Sequence, residues 1–132
     1  MPVERQTEYE TIYVLRSDSD DEKRANVRDR VEGAVEGKNG HVLKFDDWGQ
    51  RDLAYEVRDP TSGKRFDRGV YQYYRYIGPG DTVAEVERNL KLLDDVLKFM
   101  TIKIDDDLIP EERLARPEEE EPEVLPYAGE EE

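Results

Sequence analysis

Apolar and polar residues alternate from Glu8 to Leu15, with Tyr9, Thr11, Tyr13 and Leu15 on one side and Ile12 and Val14 on the other. A period of two in β-branched and aromatic residues predicts a strand. The period then lengthens: Val27, Val31, Ala34 and Val35 recur at three- and four-residue spacing. Ser17, Ser19 and Asp20 stand ahead of them as N-cap types and Gly37 and Gly40 stand behind, so a helix from about Asp20 to Glu36 follows. From His41 to Arg58 the chain reads as one long extended segment. Val42, Phe45 and Trp48 precede Gly49, and Leu53, Tyr55 and Val57 alternate after it, which places a bulge at Gly49.

Turn formers crowd Asp59, Pro60, Thr61, Ser62 and Gly63, and Gly69 to Ile77 is strand-like with four tyrosines. The two extended segments are expected to pair as a hairpin whose tip carries Lys64, Arg65 and Arg68. Gly78, Pro79 and Gly80 end that strand, and Asp81 is placed to cap a second helix over Thr82 to Asp94, with Val83, Val86, Leu90 and Leu93 as its apolar face. Val96 to Ile104 alternates as a last strand. The order βαββαβ is that of the α+β ferredoxin-like split motif: a four-stranded antiparallel sheet with two helices on one face and the other face free for a partner. Unrelated functions share this topology, so it does not decide among them.

Charge divides the chain in two. The formal net charge is −14 over 132 residues, yet Asp105 to Glu132 holds 13 acids and two bases, leaving 21 acids and 18 bases in the first 104 residues. The division predicts a folded domain over 1–104 and a Pro- and Glu-rich disordered tail over 105–132, too poor in apolar residues to offset its ordering entropy. Leu108, Ile109, Leu114, Val124, Leu125 and Tyr127 are the tail's candidate anchors on a basic partner. Within Arg51 to Arg75, six bases face four acids, the one stretch with a positive excess. Arg51, Arg58, Lys64, Arg65 and Arg68 there, with Lys98 in the last strand, are the candidate contacts to RNA or a protein partner. With no cysteine, no apolar run of membrane-spanning length and no hydrophobic segment behind Met1, a soluble cytoplasmic chain is expected.

Catalytic roles find no occupants. His41 is the one histidine and opens a strand. Gly78-Pro79-Gly80 lacks the glycine spacing and lysine of a phosphate loop, and in the Asp18, Asp20, Asp21, Glu22 cluster Lys23 stands where a calcium loop needs glycine. No catalytic residue, metal or cofactor is expected. An RNA recognition motif shares the topology, and Tyr71, Tyr73, Tyr74 and Tyr76 are candidates for stacking bases or, on the core face, for packing under the helices. Arg68 and Gly69 open its signature, but the residues from Val70 onward depart from it.

The stretch Trp48-Gly49-Gln50-Arg51-Asp52-Leu53-Ala54-Tyr55-Glu56-Val57 resembles the signature of the ribosomal protein S six family of the bacterial small subunit, where Gly, a basic residue and Leu-Ala-Tyr recur at this spacing. Tyr9-Glu10 with Val14-Leu15, Gly69 to Tyr76 before Gly80, and Leu90-Lys91-Leu92 with Asp94, Val96, Leu97 and Lys98 agree in order and spacing, so the resemblance covers Glu8 to Ile104. It implies a ferredoxin-like fold, no catalytic activity, and a place on the central domain of small-subunit ribosomal RNA together with the basic ribosomal protein S eighteen. Carried over, Gly49 permits the bulge, Arg51 projects toward RNA or partner, and Leu53, Ala54 and Tyr55 set sheet packing. Thr7 and Glu8 depart from the family by replacing basic residues ahead of Tyr9, Leu93 replaces a polar residue, and Val57 replaces Ile. The alternative is a ferredoxin-like regulatory or protein-interaction module that uses no RNA.

Overall fold

The computed structural model describes residues 5–59 and 62–115. The elements run β1 (Gln6–Arg16), α1 (Asp21–Gly37), β2 (His41–Arg58), β3 (Arg65–Gly78), α2 (Thr82–Leu92), β4 (Val96–Leu108) and α3 (Pro110–Leu114). The strands form one antiparallel sheet in the order β2-β3-β1-β4, with α1 and α2 on one face, which is the ferredoxin-like arrangement the alternation predicts.

Asp20 starts α1 by accepting the Lys23 N–H at 2.8 Å, and Asp21 and Glu22 in the first turn complement the helix dipole. The left-handed residue behind the helix is Asn39, at φ 65°, while Gly40 is required for space because a Cβ there would strike the Ile77 carbonyl. Asp81 precedes α2 but does not cap it with its side chain. Its backbone, at φ −94° and ψ 2°, lies outside the extended region usual for an N-cap, and its carboxylate pairs with Lys38 Nζ at 3.3 Å instead.

The alternation in β1 and β3 divides the apolar residues between two layers. Tyr13, Leu15, Val70, Tyr74 and Tyr76 face α1 and α2, where Val27, Val31, Val35, Val86 and Leu90 close the main core and Val83 and Leu93 pack at its margin. Ile12, Val14, Tyr71 and Tyr73 face the other way and join Leu53 and Phe66, with Trp48, Val57, Leu97 and Met100 half-covering them.

The folded chain reaches past the compositional boundary at Ile104. β4 continues to Leu108, where it pairs with Gln6, and α3 then brings Arg113, 3% exposed, against Glu8. Asp105, Asp106 and Asp107 are acidic without being unstructured, because β1 extends to Gln6 and pairs with Asp105 and Leu108, while Asp106 and Asp107 form the bulge between them, Asp106 accepting from the Thr7 hydroxyl at 2.9 Å, with all three side chains exposed. Of the tail's apolar positions, Leu108 and Ile109 are half-buried and Leu114 is exposed. Val124, Leu125, Tyr127 and the acidic run lie outside the described residues.

Candidate nucleic-acid interface

Arg51 lies on β2 opposite Gly69, on the sheet face away from α1 and α2. Its guanidinium sits over the Trp48 ring, 5.8 Å from the centroid, and its Nε donates to the Trp48 carbonyl at 3.4 Å. Trp48 in turn stacks on Tyr73 with centroids 5.0 Å apart and 24° between planes. The bulge makes this geometry. Gly49 adopts φ 77°, a left-handed conformation, and its N–H donates to the Asp47 carboxylate at 2.8 Å, so the strand gains a residue and Trp48 turns onto the free face.

Four of the other candidate cations share the far end of the β2–β3 hairpin. Arg68 pairs with Asp52 at 3.2 Å, Arg65 with Glu56 at 3.3 Å, and Lys64 with Asp18 at 3.2 Å. Arg58 is exposed beside Gly63. Lys64 and Arg16 both lie over the Phe66 ring, 5.4 and 5.1 Å from its centroid. Arg16 also bonds Asp18, and this hydrogen bond, with a second from Lys64, holds the Asp18 carboxyl below its ordinary value. The cations are thus arrayed with carboxylates beside them, not as a bare basic patch. Lys98 stands apart on β4, the opposite edge strand, where it pairs with Val14 of β1, roughly 14 Å from β2 across three strand spacings.

The four tyrosines of β3 do not offer their rings to bases. Tyr74 and Tyr76 lie under the helices, and Tyr71 and Tyr73, although on the other face, are only 3% and 5% exposed. The signature residues divide as well. Leu53 packs inward beside Phe66, but Ala54 is exposed and Tyr55 is 79% exposed, so these two set no sheet packing. The cause is register: β2 advances from Asp52 to Val57 while β3 advances only from Arg68 to Phe66, and the surplus residues leave the pleat.

A buried charge network also occupies the face away from α1 and α2, to which α3 brings Arg113. Glu8 accepts from Arg113 and from Arg75 Nη1 at 3.3 Å, and Glu10 accepts from Arg75 Nη2 at 3.0 Å and from the Tyr73 hydroxyl. Arg75, one of the six bases behind the mid-chain positive excess, is therefore engaged inside the protein. Alternation puts Glu8 and Glu10 on the face of Ile12 and Val14, so the pairing of Glu10 opposite Arg75 is readable once the strand register is known. Nothing local signals Arg113. Among the described residues no group of three or more His, Asp or Glu is placed to hold a metal, and no helix is long and apolar enough to cross a membrane.

The family model for Ribosomal protein S6 matches residues 8–103 of this sequence. The chain belongs to the ribosomal protein S6 family. Among curated relatives, the small ribosomal subunit protein bS6 of Desulforapulum autotrophicum is 42% identical over 78% of this chain and 63% of its own length. Those of Syntrophobacter fumaroxidans and Trichlorobacter lovleyi are each 39% identical, over 82% and 81% of this chain and 69% and 81% of their own lengths. The crystal structure of 30S ribosomal protein S6 from Thermotoga maritima superposes with a TM-score of 0.65 at 22% identity, over 76% of this chain and 89% of that one. The C-terminal domain of the MgtC protein from Mycobacterium tuberculosis reaches a TM-score of 0.53 at 13% identity, over 82% of this chain and 98% of that one. A fold shared so widely leaves the assignment to the sequence match, which runs from β1 through most of β4 and stops short of α3 and Arg113. Ribosomal proteins of this family belong to the small subunit, a ribonucleoprotein of translation.

Proposed function

We propose that this chain is a non-catalytic structural component of the small ribosomal subunit, ribosome-bound in the cytoplasm, that binds small-subunit ribosomal RNA cooperatively with ribosomal protein S eighteen. One observation carries the reading beyond family membership: the bulge at Gly49 stacks Arg51 on Trp48 on the sheet face free of α1 and α2, beside an arm carrying Arg58, Lys64, Arg65 and Arg68. Arginine over an aromatic ring is a preorganised donor for phosphate and for base planes. Lys98, on the far edge of the sheet, is the candidate for a separate contact to RNA or partner.

Cooperativity follows from charge. Phosphate affinity scales with the number of cations engaged, and here Arg65, Arg68 and Lys64 each stand beside a carboxylate in a chain of net charge −14. A basic partner docked beside them supplies positive charge and draws the carboxylates away, so RNA and partner enhance each other's binding.

The test is titration of a central-domain small-subunit RNA fragment with this protein, with ribosomal protein S eighteen, and with both, over a range of salt. Weak, salt-sensitive binding by the chain alone and tight binding with the partner are expected. Tight, salt-resistant binding by the chain alone, unchanged by the partner and by Arg51→Ala combined with Arg68→Ala, refutes the proposal. Binding to the protein partner with no RNA contact assigns the chain to the interaction-module class instead.

A further inference from the structure

Tyr55 is the most exposed large apolar side chain among the described residues, and it stands where the family resemblance implies sheet packing. Its display is built. The step from Asp52↔Arg68 to Val57↔Phe66 leaves surplus residues on β2; Leu53 turns in to Phe66 while Ala54, Tyr55 and Glu56 turn out. Leu53, Val57 and Phe66 anchor the stretch, and exposed ion pairs flank it at both ends, Asp52 with Arg68 and Glu56 with Arg65. An aromatic ring is thus held in solvent between two arginines on a braced ribbon. The arm is also the cationic part of an acidic protein: from Arg51 to Arg68 it carries Arg51, Arg58, Lys64, Arg65 and Arg68 against Asp52, Glu56, Asp59 and Asp67.

We infer that Tyr55 is a stacking platform for one unpaired base of RNA, with Arg65 and Arg68 turning from their carboxylates to the phosphates on either side. The inference rests on the RNA-binding role proposed above and adds its base contact. Three features favour RNA over a protein surface as the occupant. The exposed apolar area is a single ring flanked by charge, too small for the packed centre of a protein interface but matched to one base face. The flanking cations are arginines, which bridge phosphates as planar forks. Tyr71, Tyr73, Tyr74, Tyr76 and Phe66 are buried, and the half-exposed Phe45 packs on Tyr74 under Arg28, which leaves Tyr55 and the half-exposed Trp48 as the aromatic rings of the hairpin on which a base can stack, and Trp48 already carries Arg51.

The experiment compares the full-length protein with Tyr55→Ala, Tyr55→Leu and Tyr55→Phe, using the central-domain RNA fragment in the presence of the basic partner. Affinity, single-nucleotide base reactivity and thermal unfolding are measured on each. Roughly a tenfold weaker affinity is expected for Tyr55→Ala and a clear loss for Tyr55→Leu, with Tyr55→Phe near wild type, since stacking needs the ring and not the hydroxyl. Unfolding is unchanged in all three, and one unpaired nucleotide protected by the wild type regains its reactivity with Tyr55→Ala. Equal RNA affinity for wild type and Tyr55→Ala overturns the inference alone, leaving the RNA-binding role intact. Tyr55→Ala that weakens binding to the partner in the absence of RNA overturns it in favour of a protein contact. A wild-type protein that binds no RNA, with or without the partner, sinks both.

Discussion

The two halves of the β2–β3 hairpin are made from the same pair of strands and held by different means. In the near half Phe45 meets Tyr74 with ring centroids 4.8 Å apart, Arg28 of α1 lies over Phe45, and β1 pairs along the other side of β3. In the far half the second side of β3 has no strand pairing among the described residues, because β1 ends at Arg16 opposite Gly69 and β3 continues with β2 alone, and the cations over its aromatic ring, Arg16 and Lys64 on Phe66, come from a strand end and a loop instead of a helix. Gly69 sits at that corner for want of room, since a Cβ there would strike the Val14 side chain. A two-stranded ribbon is marginal by itself. The arm is braced by Leu53, Phe66 and Val57, by Arg16 on the buried Asp59 carboxylate at 3.2 Å, and by the Asp59 backbone bonded to Lys64 and Gly63. The difference teaches where recognition is available. In the near half Tyr73, Tyr74 and Arg75 are bound to carboxylates within the protein, and on the arm Lys64, Arg65 and Arg68 form exposed pairs that a partner can exchange.

The largest expected effect falls on the sheet body. Arg75→Ala leaves the Glu8 and Glu10 carboxylates without a shared cation in a buried site, and a loss of about 3–5 kcal/mol in urea unfolding is expected. A loss under about 1 kcal/mol erases the contrast with the arm.

Alkaline pH comes next. Burial pushes the Tyr76 hydroxyl from 10.0 up to about 12 and raises those of Tyr13, Tyr73 and Tyr74 as well. The folded state therefore holds these protons more tightly than the unfolded chain. The stabilisation is complete below the unfolded value near 10 and is lost as pH rises through the folded value. From Tyr76 alone roughly 2–3 kcal/mol should disappear over that window, read as a falling urea midpoint. A midpoint that holds constant above pH ~10 contradicts the burial of these hydroxyls.

The smallest effects belong to the arm. Arg65→Ala and Arg68→Ala each break an exposed pair and should cost about 0.2–1 kcal/mol in the same unfolding assay. If either costs more than about 2 kcal/mol, the arm is part of the cooperative body and the comparison fails.

Local periods in the sequence determined the elements, their order and the division of β1 into a helix-facing and a free side. Val27, Val31, Val86 and Leu90 lie at the spacing a helix needs, the alternation of β1 places its side chains by turns, and Gly49 marks its bulge without reference to any distant residue. The signature at Trp48 to Val57 was likewise legible as a string, and it located Arg51. Which strand lies beside which, and where each one ends, was decided by the tertiary structure. That β1 stops at Arg16 leaves the far hairpin as a ribbon; that β3 falls short of β2 in register turns Tyr55 outward; that β4 outruns Ile104 carries Arg113 back to Glu8. Each depends on a neighbour far along the chain. A period of two states that a residue faces one side of a strand, and only the strands and helices packed around it determine whether that side is core, solvent or a place for RNA.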